Sequence, residues 1–111
     1  MIYLASPYSD DSDVLQAWRW RAVCRAASCL MKQGHRVFSP IAHTHPIAQH
    51  GLPGDWEFWQ AWDREMLPAC SELWVLKLAG YDQSKGIAAE IALANEMGIP
   101  VRFLEPEEAG L

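Results

Sequence analysis

A chain of 111 residues, half of them hydrophobic and 21% charged, is one domain that can bury a core without staples. Nine Lys and Arg against fourteen Asp and Glu leave a formal net charge of −5. That balance argues against a polynucleotide partner, which needs a basic stripe, but not against a single nucleotide. Cys24, Cys29 and Cys70 are odd in number and lack C-x-x-C spacing, so neither a disulfide framework nor a cysteine zinc site is expected. No apolar run approaches the ~18 residues of a membrane span. The stretch Met1–Pro7 lacks the basic and long apolar segments of a signal peptide. The expectation is a single cytoplasmic domain over residues 1–111.

In chain order, Ile2-Tyr3-Leu4-Ala5 reads as a short buried strand ended by Ser6-Pro7-Tyr8. Ser9-Asp10-Asp11-Ser12-Asp13 supplies N-cap residues and first-turn acids for a helix running to about Gln33, with Gly34 as the C′ glycine. These acids repel a phosphate unless they turn away to cap the helix. Arg36–Ser39 is a second strand. Residues 40–55, with Pro, Gly and three His, read as a long binding loop or lid. A helix follows over Trp56–Leu67, stopped by Pro68. Leu73–Leu76 is a central strand because it is apolar throughout. Gly80–Gln83 turns, Ser84–Met97 is a helix ended by Gly98, and Pro100–Phe103 is the last strand before an acidic tail expected to fray. Alternating strands and helices predict an α/β fold with a small parallel sheet of four to five strands, covered on both faces. Ligands in such folds bind beyond the carboxyl ends of the strands.

Two carboxylates stand on apolar helix faces. At ~100° per residue, Asp63 falls within the stripe Trp56, Trp59, Met66 and Leu67. Glu90 falls on the inner face of the last helix, near Ala94 and Met97, in a stretch with no other charge from Gly86 to Ala94. A buried carboxylate needs a partner or a purpose. One reading is an ion pair with Arg19 or Arg25; the other is a catalytic pair whose pKa values are pushed apart, as glycosyl transfer requires. On spacing alone Ser84 reads as a plain N-cap; taken with Glu90 one and a half turns later, the free N–H groups of the first turn with Lys85 and Gly86 offer an anion site that a ligand can approach closely.

The segment Ser84-Lys85-Gly86-Ile87-Ala88-Ala89-Glu90, with Gly98-Ile99-Pro100-Val101 after it, resembles the nucleoside 2-deoxyribosyltransferases. It is closer still to the 2′-deoxynucleoside 5′-monophosphate N-glycosidases, whose motif is Ser-x-Gly-x-x-x-Glu. The opening Ile2–Ser6 is similar to their first strand. Phe38-Ser39-Pro40 and His43-x-His45-Pro46 also look like segments of a group of small bacterial and phage proteins of unassigned function. The resemblance implies a flavodoxin-like three-layer sandwich, a homodimer or higher homo-oligomer, and no metal or organic cofactor. It implies Glu90 as the nucleophile at C1′, Asp63 as the carboxylate assisting base departure, Tyr3 as the group orienting Glu90, and Ser84 as the 5′-phosphate ligand.

Ser6, at the end of the first strand, joins Ser84 and Gly86 as a substrate-binding candidate. His43 and His45 are candidates to stack on or hydrogen-bond a base; a metal held by His43, His45, His50 and Asp55 is the weaker reading. Arg19 shares a helix face with Leu15, Ala22 and Ala26, and is expected either to pair with a carboxylate or to reach a phosphate. Trp56, Trp59 and Trp62 recur at helical spacing as packing or interface residues, one of them available to stack on a base. Lys77 is a candidate for the rim. Three functions compete: cleavage or transfer at the N-glycosidic bond of a nucleoside or nucleoside 5′-monophosphate, a non-catalytic nucleotide-binding module, and a structural dimerisation domain.

Overall fold

The computed structural model describes residues 1–53 and 55–111. Four strands, β1 (Ile2–Ala5), β2 (Val37–Phe38), β3 (Glu72–Leu76) and β4 (Val101–Leu104), form one all-parallel sheet in the order β2-β1-β3-β4. Tyr3 pairs with Phe38 on one side and with Leu73 on the other, and Leu73 pairs in turn with Val101. All four residues of β1 are buried, because a central parallel strand is covered on both faces. Successive side chains then serve opposite layers. Ile2 and Leu4 pack with Trp74 and Leu76 against Ala22, Val23, Ala26 and Leu30 of helix α1 (Asp13–Lys32). Tyr3 and Ala5 point the other way, to join Leu73 and Val75 against Ile87, Leu93 and Ala94 of helix α4 (Lys85–Met97). The result is an α/β, flavodoxin-like three-layer sandwich.

The chain leaves β1 towards β2 and leaves β3 towards β4, so the topological switch point lies between β1 and β3. A crevice opens beyond their carboxyl ends. Among the described residues no helix is long and apolar enough to cross a membrane.

Several expectations need correction. Residues Pro40–Ala48 are not loop but helix α2. Ser39 caps it by accepting from Ala42 N at 3.1 Å, and Pro40 occupies the first turn, where its missing N–H is harmless. The internal Pro46 hid this helix in the sequence. Helix α3 spans Trp56–Met66, and Leu67–Ala69 continues as a 3₁₀ turn. The second strand is shorter than expected, and the last begins and ends one residue later. The acidic tail does not fray. Glu105 and Glu108 form a reciprocal capping box over Pro106–Ala109, Arg102 pairs with Glu108 at 2.9 Å, and Ala109 is fully buried. All three cysteines are free.

Candidate active site

Beyond the carboxyl ends of β1 and β3 lies a cavity of about 580 Å³. Its floor is a cluster of three hydroxyl and carboxyl groups. The Tyr3 hydroxyl donates to Glu90 Oε2 at 2.5 Å, and Asp63 is close enough to both to interact with them electrostatically. Each comes from a different element. The β1 pleat sends Tyr3 towards the α4 layer, and the helical stripes of α3 and α4 turn Asp63 and Glu90 inward. Asp63 is 8% exposed, Glu90 5%, and Tyr3 not at all, while both carboxylates still line the cavity.

Burial dominates the electrostatics. It pushes Glu90 well above the usual carboxylate range, and the neighbouring Asp63 charge adds to the shift; the bond from Tyr3 opposes it. Asp63 is raised as well, by burial, with the neighbouring Tyr3 and Glu90 hydrogen-bonding groups opposing. Tyr3 is raised by burial and by both carboxylates, so its hydroxyl stays protonated and remains a donor. Both carboxyl groups are thus pushed towards their protonated forms, Glu90 more strongly than Asp63.

One wall belongs to the start of α4. Ser84 Oγ accepts from Ile87 N at 3.2 Å and is committed as the N-cap, yet Ser84, Lys85 and Gly86 all line the cavity. Lys85 forms no ion pair among the described residues. A Cβ added at Gly86 would meet nothing closer than Ser84 Oγ at 3.8 Å, so nothing in the protein itself demands glycine there. Across the switch point, Ser6 also lines the cavity; its Oγ is buried and has no hydrogen-bond partner among the described residues. Helix α2 contributes His43 and Thr44, and α3 contributes Trp56, Trp59 and Trp62.

The structure therefore brings Glu90, Asp63, Ser6, Ser84, Gly86 and His43 to one cavity, with Tyr3 directly behind Glu90. Two expected site residues do not reach it. His45 is buried, bonds Tyr8 through Nδ1 at 2.5 Å and stacks on Trp20 with centroids 4.8 Å apart. Burial and the Arg21 charge push its pKa down, so it is a neutral packing group that fastens α2 to the β1–α1 loop. Arg19 neither pairs with a carboxylate nor faces the cavity. It donates to the carbonyls of Tyr8 and Ser9 at 3.2 Å and of Ala79 at 3.4 Å, tying together the loops that follow β1 and β3. Gly80 beside it has φ +94°, a left-handed conformation that favours glycine, and a Cβ there would come within 2.8 Å of Arg19 Nη2.

Lys77 is held by Glu105 at 2.6 Å, away from the cavity. Asp10 turns to accept from Ser12 N at 2.8 Å, and neither it nor Asp11 lines the cavity. Among the described residues no three metal-ligating side chains form a cluster. Tyr8, Thr44 and Gln83 line the cavity from the segments Ser6–Asp11, Ser39–Asp55 and Lys77–Ser84, where the sequence places a ligand site without singling them out, and Glu57 lies outside those segments. Tyr8 was findable, since it follows the end of β1 at the switch point; Thr44 was hidden with its helix.

The family model described as "Domain of unknown function (DUF1937)" matches residues 1–106, so the chain belongs to that family. No curated protein matches the chain.

Proposed function

We propose that this member of the DUF1937 family cleaves the N-glycosidic bond of a nucleoside or nucleoside 5′-monophosphate. The observation that carries the reading is the buried Tyr3–Glu90–Asp63 cluster at the floor of an open cavity. Two carboxyl groups that share one proton can divide the labour of glycosyl transfer. With the proton on Asp63 and Glu90 ionised, Glu90 attacks C1′ while Asp63 protonates the departing base. Tyr3 donates to the Glu90 carboxylate and holds its orientation. Water then attacks C1′ with Asp63 as base, and Glu90 is released. The free N–H groups at the start of α4, with Ser84 and Lys85, hold the 5′ end, and a phosphate there gains from the helix dipole. Ser6 Oγ gains a partner when the sugar occupies the cavity.

The test is chromatographic detection of free base from nucleosides and 5′-monophosphates, in ribo and 2′-deoxy forms, with wild type and Glu90→Gln side by side. Release by wild type that is lost in a folded Glu90→Gln is the expected result. Ligands that raise the thermal midpoint with no release from any substrate would instead make the protein a nucleotide-binding module.

A further inference from the structure

We propose that the aglycone this site accepts is a positively charged heteroaromatic ring, joined to a sugar that carries an anionic group. The inference rests on the glycosidic reading above and specifies its substrate. The α3 side of the cavity carries the indoles of Trp56, Trp59 and Trp62, with Trp59 and Trp62 ring centroids 5.1 Å apart. Indole faces attract cations through their quadrupole, more strongly than other aromatic side chains do.

Two carboxylates stand in the same wall. Asp55 accepts from Phe58 N at 3.0 Å, and Glu57 makes no ion pair among the described residues. The α4 side has the opposite sign, with Lys85 and the helix N-terminus. Among the described lining residues Lys85 is the one Lys or Arg, against Asp55, Glu57, Asp63 and Glu90. An acidic-aromatic wall facing the same space as a basic helix start complements a zwitterion better than a neutral base with a phosphate. That the space is built for a ligand has separate support. Ser6 lines it, is 6% exposed, and its Oγ lacks any hydrogen-bond partner among the described residues.

The chemistry agrees. When ionised Glu90 forms its bond to C1′, the C1′–N pair passes to the ring nitrogen and cancels the positive charge. The ring leaves neutral, without the proton that Asp63 gives to an uncharged base. Water then adds to C1′, its proton passes through Asp63 to solvent, and Glu90 is regenerated. The cation is therefore bound in the ground state and discharged in the reaction.

Guanosine 5′-monophosphate and its 7-methyl derivative differ by one methyl group and one positive charge at pH 6. Both are titrated calorimetrically into Glu90→Gln, where no turnover is expected, and into Glu90→Gln/Glu57→Gln. The methylated, cationic nucleotide is expected to bind at least tenfold more tightly, and that ratio to fall at least threefold when Glu57 loses its charge. Equal affinities, or a ratio indifferent to Glu57, overturn the proposal and leave the glycosidic reading standing. Failure of the methylated nucleotide to bind overturns the proposal; the base-release panel separately decides the glycosidic reading.

Discussion

Tyr3 and Glu90, 87 positions apart in the chain, are joined by a 2.5 Å hydrogen bond in which the phenol donates to Oε2. Tyr3 is fully buried and Glu90 nearly so, so the bond helps set both the orientation and the proton affinity of the carboxyl. Tyr3→Phe keeps the ring and removes the donor. The buried Glu90 then loses a partner, at a cost of about 1–3 kcal/mol, which urea denaturation will measure. Base release is expected to fall with it and its pH profile to move to higher pH, because the donor that favoured ionised Glu90 is gone.

The carboxyl pair gives stability an unusual pH dependence. Glu90 and Asp63 both have folded-state pKa values above those of the unfolded chain, where carboxyls titrate near pH ~4. The native state therefore binds more protons. The contribution is fully present below pH ~4 and is lost as pH rises through the folded values. Glu90→Gln removes the charge that burial penalises while its amide oxygen can still accept from Tyr3. Its thermal midpoint should exceed that of wild type by roughly 4 °C or more at pH 8, the response of a domain this size to about 1 kcal/mol. The gap should close as pH is lowered towards 4. Midpoints that track one another across pH 4–8 would contradict the assignment.

Arg19 and Gly80 form a second coupled pair. Gly80→Ala places a side chain in a left-handed conformation, at a cost of about 1–3 kcal/mol, and drives its Cβ against the guanidinium. In an Arg19→Ala background only the backbone cost remains. A double-mutant cycle by urea unfolding is expected to yield a coupling of about 0.5–3 kcal/mol, and a value near zero would disprove the contact.

Gly86 separates binding from folding. Its backbone is ordinary and its surroundings admit a methyl group, so Gly86→Ala should stabilise the empty protein by up to about 1 kcal/mol. The same methyl group stands where a ligand approaches the start of α4, so nucleotide affinity should fall in calorimetric titration. A loss of both stability and affinity would mean that the glycine is structural.

The two carboxylates were legible because each broke an otherwise apolar helical stripe, a pattern that a periodic reading detects whatever the tertiary structure. The sheet was legible for the same reason: its strands are short, apolar and bounded by Gly or Pro. Helix α2 was not. Ser39-Pro40 is a good helix start, but Pro46 interrupts the helical pattern, and the nine-residue helix is fixed by packing on α1 and β1. His45 and Arg19 misled because a polar residue on a buried face has two solutions, a ligand or a loop. The sequence does not record that the carbonyls of Tyr8, Ser9 and Ala79 converge on Arg19. The tail, by contrast, carried its own signal in the spacing of Glu105 and Glu108, which is that of a capping box.

The uneven distribution of tryptophan has a practical consequence. Three of the six, Trp56, Trp59 and Trp62, line the cavity. Trp20 is held against His45, and Trp74 lies beneath the Arg102 guanidinium at 4.5 Å, both fixed by the fold. The molecule thus carries an intrinsic optical reporter and an internal standard in one chain. A ring that enters the cavity quenches the first set and leaves Trp20 and Trp74 emitting, so occupancy can be followed by fluorescence without any label.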